Sequence, residues 1–207
     1  MIDFEAVERA PVAQEPFLHF LAEGVLTPQF LAAIKTDFPA ITSTGVFPVE
    51  DLDAGPSFAA LIEEVRSKRF AQLIERKAGI PLQDKPLMIT VRGRCHRRDG
   101  KIHTDSKDKI VTGLLYLNDP DWAPAGGRLR LLRSGTDLED VLAEVPPTGG
   151  TMAVFKRSGN SWHGHHPYEG ERRYVMFNWL ASDLAHLKNM GRHKLSARLK
   201  NLGLWNR

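Results

Sequence analysis

From Leu87 onward the chain is a succession of short runs rich in β-branched and aromatic residues: LMITVR, KIHTD, IVTGLLYLN, GGRLRLL, TMAVF and RRYVMFNWL. Turn formers separate them, at Asp99-Gly100, Asn118-Asp119-Pro120, Ala125-Gly126-Gly127, Pro146 to Gly150 and Gly159-Asn160. Many short strands with this punctuation predict an antiparallel sandwich or jelly roll. The one long connection, TDLEDVLAEV at 136–145, reads as a helical turn.

The first third alternates instead between extended and helical signals. Phe17 to Ala22 reads as a strand ended by Gly24. Thr27 followed by Pro28 fits an N-cap with proline at the first helical position, and Phe30, Leu31, Ile34 and Phe38 continue at helical spacing until Pro39. Ser57 is placed to cap a second helix with the stripe Phe58, Leu61, Ile62 and Val65, resumed at Phe70, Leu73 and Ile74, and stopped by Gly79 and Pro81. The expected architecture is α+β with a mainly β core, two or three helices ahead of it and a short helix behind. All of it belongs to a single domain: a support region over 1–86, a catalytic core over 87–183 and a basic tail over 184–207.

At 207 residues the chain is long enough to bury a sizeable core. Cys95 is the single cysteine, so no internal disulfide is possible. The start, MIDFEAVERA, mixes acids with apolar residues and lacks the pattern of a secretory signal, and no apolar run approaches a membrane span. A cytoplasmic protein is expected. The net charge of +3 is uneven: Lys188, Arg192, Lys194, Arg198, Lys200 and Arg207 fall after Leu184 with no acid among them. Such a tail can bind a polyanion, although a solvated helix face is the plainer reading and a nucleic-acid partner is not expected.

Two clusters carry chemistry. In His103-Thr104-Asp105 the imidazole and carboxylate are two residues apart, which on a strand puts both on one face. Further on, SWHGHHP at 161–167 supplies a distant histidine. A His-x-Asp pair with a distal His is the ligand set that leaves adjacent positions open on non-haem iron(II). Pro167 lies four residues after His163, and Arg173 lies ten after it at the start of a strand. A buried arginine there needs an anionic partner, and a carboxylate is its best bidentate match. Arg172 is adjacent, but strand alternation turns only one of the two inward, and the ten-residue spacing favours Arg173. His165 and His166 read as lip or solvent residues, Trp162 and Trp179 as packing, and the basic loop RGRCHRRDGK at 92–101 as a border of the site mouth.

The runs HTDSKDKIVTGLLYLN, GGRLRLL and SWHGHHPYEGERRYVMFNW together resemble the prolyl-4-hydroxylase-like branch of the 2-oxoglutarate/iron(II) oxygenases, over Leu87 to Asp183. The resemblance implies a double-stranded β-helix. It makes His103, Asp105 and His163 the iron ligands, Arg173 the residue binding the distal carboxylate of 2-oxoglutarate, and Tyr116 its hydroxyl partner. It implies Fe(II), 2-oxoglutarate as co-substrate and O2, with ascorbate as a candidate addition. The implied reaction releases succinate and CO2 while a C–H bond is hydroxylated, and a carboxylate at Asp105 favours hydroxylation over halogenation. The substrate is left open between a protein or peptide residue, a small metabolite and a saccharide. The alternative, a non-catalytic jelly-roll metal-binding module, has no use for both Tyr116 and Arg173.

Overall fold

The structure, a computed structural model, describes residues 1–187 and 189–191. The six basic residues of the tail, Lys188 and Arg192 to Arg207, lie outside the described residues. Four α-helices precede the main strands: α1 (Phe4–Arg9), α2 (Pro28–Thr36), α3 (Pro56–Arg66) and α4 (Lys68–Ala78). Thr27 caps α2 by accepting from the Phe30 N–H at 3.3 Å. The apolar stripe expected as one helix is two. Ser67 adopts an extended backbone that ends α3, and its hydroxyl accepts from the Phe70 N–H at 3.1 Å to start α4. Gly55, not Ser57, occupies the cap position of α3, because Pro56 presets the first helical residue. Helix α1, unforeseen in the sequence, is capped by Asp3 onto the Ala6 N–H.

The strands are β1 (Val12–Ala13), β2 (His19–Ala22), β3 (Phe47–Pro48), β4 (Leu87–Cys95), β5 (Lys109–Tyr116), β6 (Leu129–Leu132), β7 (Val141–Val145), β8 (Met152–Lys156), β9 (His163–Gly164) and β10 (Gly170–Leu180). They form a seven-stranded sheet in the order β1-β2-β8-β5-β10-β4-β3 and a three-stranded sheet in the order β7-β6-β9, antiparallel throughout. Two expectations are corrected here. TDLEDVLAEV ends in strand β7, because Leu129, Arg130 and Leu131 of β6 offer it a ladder partner that a local helical pattern cannot reveal. KIHTD is no strand; its one ladder contact is an isolated bridge from His103 to His163.

Alternation along the central strands separates two apolar layers. Val111 and Leu115 of β5, Val154 of β8, and Val175, Phe177 and Trp179 of β10 face the helices, where Phe70 meets Phe177 edge-on at 5.2 Å and stacks on Trp179 at 6.1 Å. Leu114, Tyr116, Phe155 and Tyr174 face the smaller sheet and pack on Leu129, Leu131 and Val145. The functional residues sit in that second layer, between the sheets.

Gly113 is required by this packing: a Cβ there would lie 2.1 Å from the Phe177 ring. Gly113→Ala is expected to cost about 1–3 kcal/mol through overpacking. Urea unfolding of the two proteins measures it, and a loss below about 0.5 kcal/mol would mean the ring is free to move aside.

Candidate active site

The two histidines of the candidate metal centre are held by their backbones. The His103 N–H donates to the His163 carbonyl and the His163 N–H to the His103 carbonyl, each at 3.0 Å. This hydrogen-bonded pair sets the side chains directly opposite, with ring centroids 4.3 Å apart. His103 Nδ1 lies 2.8 Å from the Lys101 carbonyl and His163 Nδ1 lies 3.0 Å from the Ser161 carbonyl. Nδ1–H donation to those oxygens leaves Nε2 of each ring as the free lone pair, the form a metal takes. Asp105 completes the group: one ligand atom from each of His103, Asp105 and His163 lies within 4.8 Å of the others.

The electrostatics put His163 and Asp105 in ligand form near neutral pH. Burial, reinforced by His103, lowers His163 to about 4 against the pull of Asp105. Burial alone would raise the Asp105 carboxyl, but Lys109, His163 and hydrogen bonds from Lys109 and Thr112 outweigh it and hold the group down to about 2. Lys109 donates to one carboxylate oxygen at 2.8 Å and Thr112 to the other, and Thr112 is also 3.0 Å from the Asn178 side-chain oxygen. Lys109, Thr112 and Asn178 were not singled out in the sequence. Alternation on β5 and β10 was the available signal, since Thr112 and Asn178 share parity with Leu114 and Met176.

These residues open on a cavity of about 230 Å³ lined also by Leu114, Leu129, His165, Arg172, Tyr174 and Met176. Here the arginine expectation is corrected. Arg173 turns away. Its side chain is 27% exposed, pairs with Glu171 at 3.2 Å and covers the Phe38 ring on the helix side. Arg172 is the inward residue, 2% exposed. Its Nε donates to the Gly127 carbonyl at 2.6 Å and its Nη2 to the Tyr116 hydroxyl at 2.9 Å, with the Tyr116 and Tyr174 rings about its guanidinium. A count of ten from His163 crosses a loop and a β-bulge, where three steps on β10 face two on β4. Alternation back from Phe177 and Val175 places Arg173 with them on the helix side, and Arg172, one residue earlier within the bulge, faces the pocket.

Tyr116 is fully buried, and burial pushes its hydroxyl up to about 12 despite the neighbouring Arg172, so it is a neutral donor at working pH. Among the described residues, no carboxylate pairs with Arg172; its partners are neutral oxygens. Gly126-Gly127 explains the GG-x-L run. Gly127 has φ +78, where a side chain is strained, and its carbonyl fixes Arg172. His165, expected at the lip, is buried in the pocket wall, where burial and Arg172 lower it to about 4. His166 is more open and pairs with Glu139 at 2.7 Å.

The pocket between the two sheets thus brings together two imidazoles, a carboxylate and a buried guanidinium. A sequence model of the 2OG-Fe(II) oxygenase superfamily matches residues 92–181 of the chain. The fold is the double-stranded β-helix of solved relatives. A prolyl-4-hydroxylase of Pseudomonas putida is 19% identical, with a TM-score of 0.55, 80% of this chain covered and 94% of that one. The viral collagen prolyl hydroxylase of Paramecium Bursaria Chlorella virus-1, solved with 2-oxoglutarate, is 15% identical, with a TM-score of 0.53 and coverage of 78% and 93%. HygX of Streptomyces hygroscopicus, solved with nickel and 2-oxoglutarate, is 14% identical, with a TM-score of 0.54 and coverage of 78% and 81%. No curated protein matches the chain in sequence. Among the described residues, no helix is long and apolar enough to cross a membrane.

The lowered histidines make the metal-free protein acid-sensitive. His163 and His165 titrate at about 4 when folded, whereas an unfolded histidine titrates near 6.5, so between those values the unfolded chain holds more protons. Stability therefore falls as pH drops from about 6.5 toward 4. Asp105 adds nothing in that window, because its contribution is intact above the unfolded carboxyl value and decays only toward about 2. Urea midpoints of the metal-free protein at pH 7 and 4.5 should differ by on the order of 2 kcal/mol for each histidine. His165→Gln should remove about half of the difference; an unchanged slope would mean that His165 is already protonated.

Proposed function

We propose that the chain hydroxylates an unactivated C–H bond, in a protein or peptide residue or in a small metabolite or saccharide, converting 2-oxoglutarate and O2 to succinate and CO2. The observation that carries this reading is one cavity lined by His103, Asp105, His163 and Arg172, with the Arg172 guanidinium donating to the buried Tyr116 hydroxyl. Bound iron(II) supplies a site where 2-oxoglutarate and O2 react. His103 and His163 hold the metal through Nε2, and Asp105 through a carboxylate kept ionised by Lys109 and Thr112.

Arg172 is the clamp for the distal carboxylate of 2-oxoglutarate, in place of Arg173. Its guanidinium is oriented in advance by Gly127, and Tyr116, which accepts from Arg172, keeps its own proton to donate to the same carboxylate. Leu114, Leu129 and Met176 give the same cavity apolar walls, which strengthens the ionic contacts within it.

Succinate release tests the assignment. Removing one partner of a buried charge pair costs about 3–5 kcal/mol, so Arg172→Ala should raise the 2-oxoglutarate requirement by roughly a hundred- to a thousandfold. Tyr116→Phe, losing one bond to a charged group, should raise it roughly ten- to a hundredfold. Arg173→Ala should leave it within about threefold of wild type. Pyruvate lacks the distal carboxylate, so its disadvantage should shrink in Arg172→Ala alone. The reverse pattern, with Arg173 decisive, would return the clamp to the helix side of β10. His103→Ala and His163→Ala should each lose iron, while His166→Ala keeps it; iron retained in either of the first two would misplace the metal.

A further inference from the structure

We infer that the substrate of this site carries a carboxylate and that Arg92 receives it. The inference rests on the oxygenase reading and deepens it.

Arg92 stands on β4 directly opposite Tyr174, which stands opposite Tyr116 on β5. The three residues form a row across adjacent strands, and Arg92 and Tyr174 line the cavity together with Arg172. Arg92 is nearly enclosed, its side chain 12% exposed. Nη1 donates to the Asp99 carboxylate and lies 3.4 Å from Cys95 Sγ. Nε is buried and has no hydrogen-bond partner among the described residues. A buried guanidinium N–H left without an acceptor is unfavourable, and such a group in a pocket wall is explained when a ligand supplies the acceptor.

The charge of the cavity points the same way. Its wall carries Arg92, Lys109 and Arg172 against Asp99 and Asp105. These side chains together leave one positive charge. A divalent iron and a doubly charged 2-oxoglutarate cancel each other, so the loaded site keeps that excess. A monocarboxylate on the substrate neutralises it, whereas an uncharged substrate leaves it unbalanced and a dianionic phosphate overshoots it. The sequence around Asp99 repeats the bias: the segment RGRCHRRDGK carries Arg92, Arg94, Arg97, Arg98 and Lys101 against that one acid. Arg172 does not serve this second carboxylate, because it is committed to the co-substrate.

The test uses the iron(II)-loaded full chain with saturating 2-oxoglutarate. The probes are N-acetyl amino acids and short aliphatic and aromatic monocarboxylates, each paired with its primary amide. Succinate release and perturbation of the anaerobic absorption band of the iron–2-oxoglutarate complex are read for each pair. In the wild type, at least one acid should act at a half-saturating concentration about tenfold below that of its amide. Arg92→Gln should reduce the preference to less than about threefold. Arg92→Lys, which keeps the charge but loses the planar fork, should fall between, and it decides the matter if Arg92→Gln does not fold. Amides as effective as their acids throughout, or no acid that acts at all, would overturn the inference, as would an unchanged preference in either folded variant. A wild-type protein that forms no iron–2-oxoglutarate band fails the oxygenase reading instead, so the two failures are distinguishable.

Discussion

Strand β10 is hydrogen-bonded on both edges, to β4 and to β5, and this ladder fixes which of its side chains enter which layer. Val175, Phe177 and Trp179 are committed to the helices, where α4 supplies Phe70 against two of them. Arg172, Tyr174, Met176 and Asn178 are thereby committed to the space between the sheets. A slip of one residue would turn Arg172 against the helical core and Arg173, Phe177 and Trp179 into the pocket, so the apolar face that stabilises the fold also selects the arginine that enters the pocket.

The charged groups inside the cavity depend on one another in the same way. Asp105 is buried yet ionised because Lys109 and Thr112 each meet one of its oxygens. His163 is neutral because burial disfavours its charged form, and the carbonyls of Lys101 and Ser161 fix which nitrogen of each ligand ring is left free. Arg172 is held by one carbonyl and one phenol, which orient a guanidinium without neutralising it. Gly127 makes this possible through a backbone conformation that side chains avoid, so a glycine pair in a loop bears directly on the clamp.

Much of this was legible in the sequence. The strand-and-turn punctuation after Leu87 marked β4, β5, β6, β8 and β10, and Thr27-Pro28 marked the start of α2. His103, Asp105 and His163 were marked by residue type and order, and the structure brings their donor atoms together. What failed were inferences that needed long-range partners. Strand β7 looks helical until β6 is present to pair with it. Ser67 looks like helix interior until its hydroxyl is seen capping the next helix. Arg173 was favoured by a count along the chain, whereas the deciding information lay in a bulge and in the parity of the apolar residues behind it. Arg92 was hidden inside a basic run that looked like a loop, although it shares parity with Thr90 and not with the core residues Ile89 and Val91.

The central claim is that one pocket holds a metal on His103, Asp105 and His163 and a co-substrate carboxylate on Arg172. A crystal structure of the protein grown anaerobically with manganese(II) and 2-oxoglutarate tests it most directly. The account predicts the metal bonded to Nε2 of both histidines and to Asp105, and the distal carboxylate against Arg172 with Tyr116 donating to it. A distal carboxylate on Arg92 or Arg173, or a metal bonded to His165 in place of His163, would contradict it.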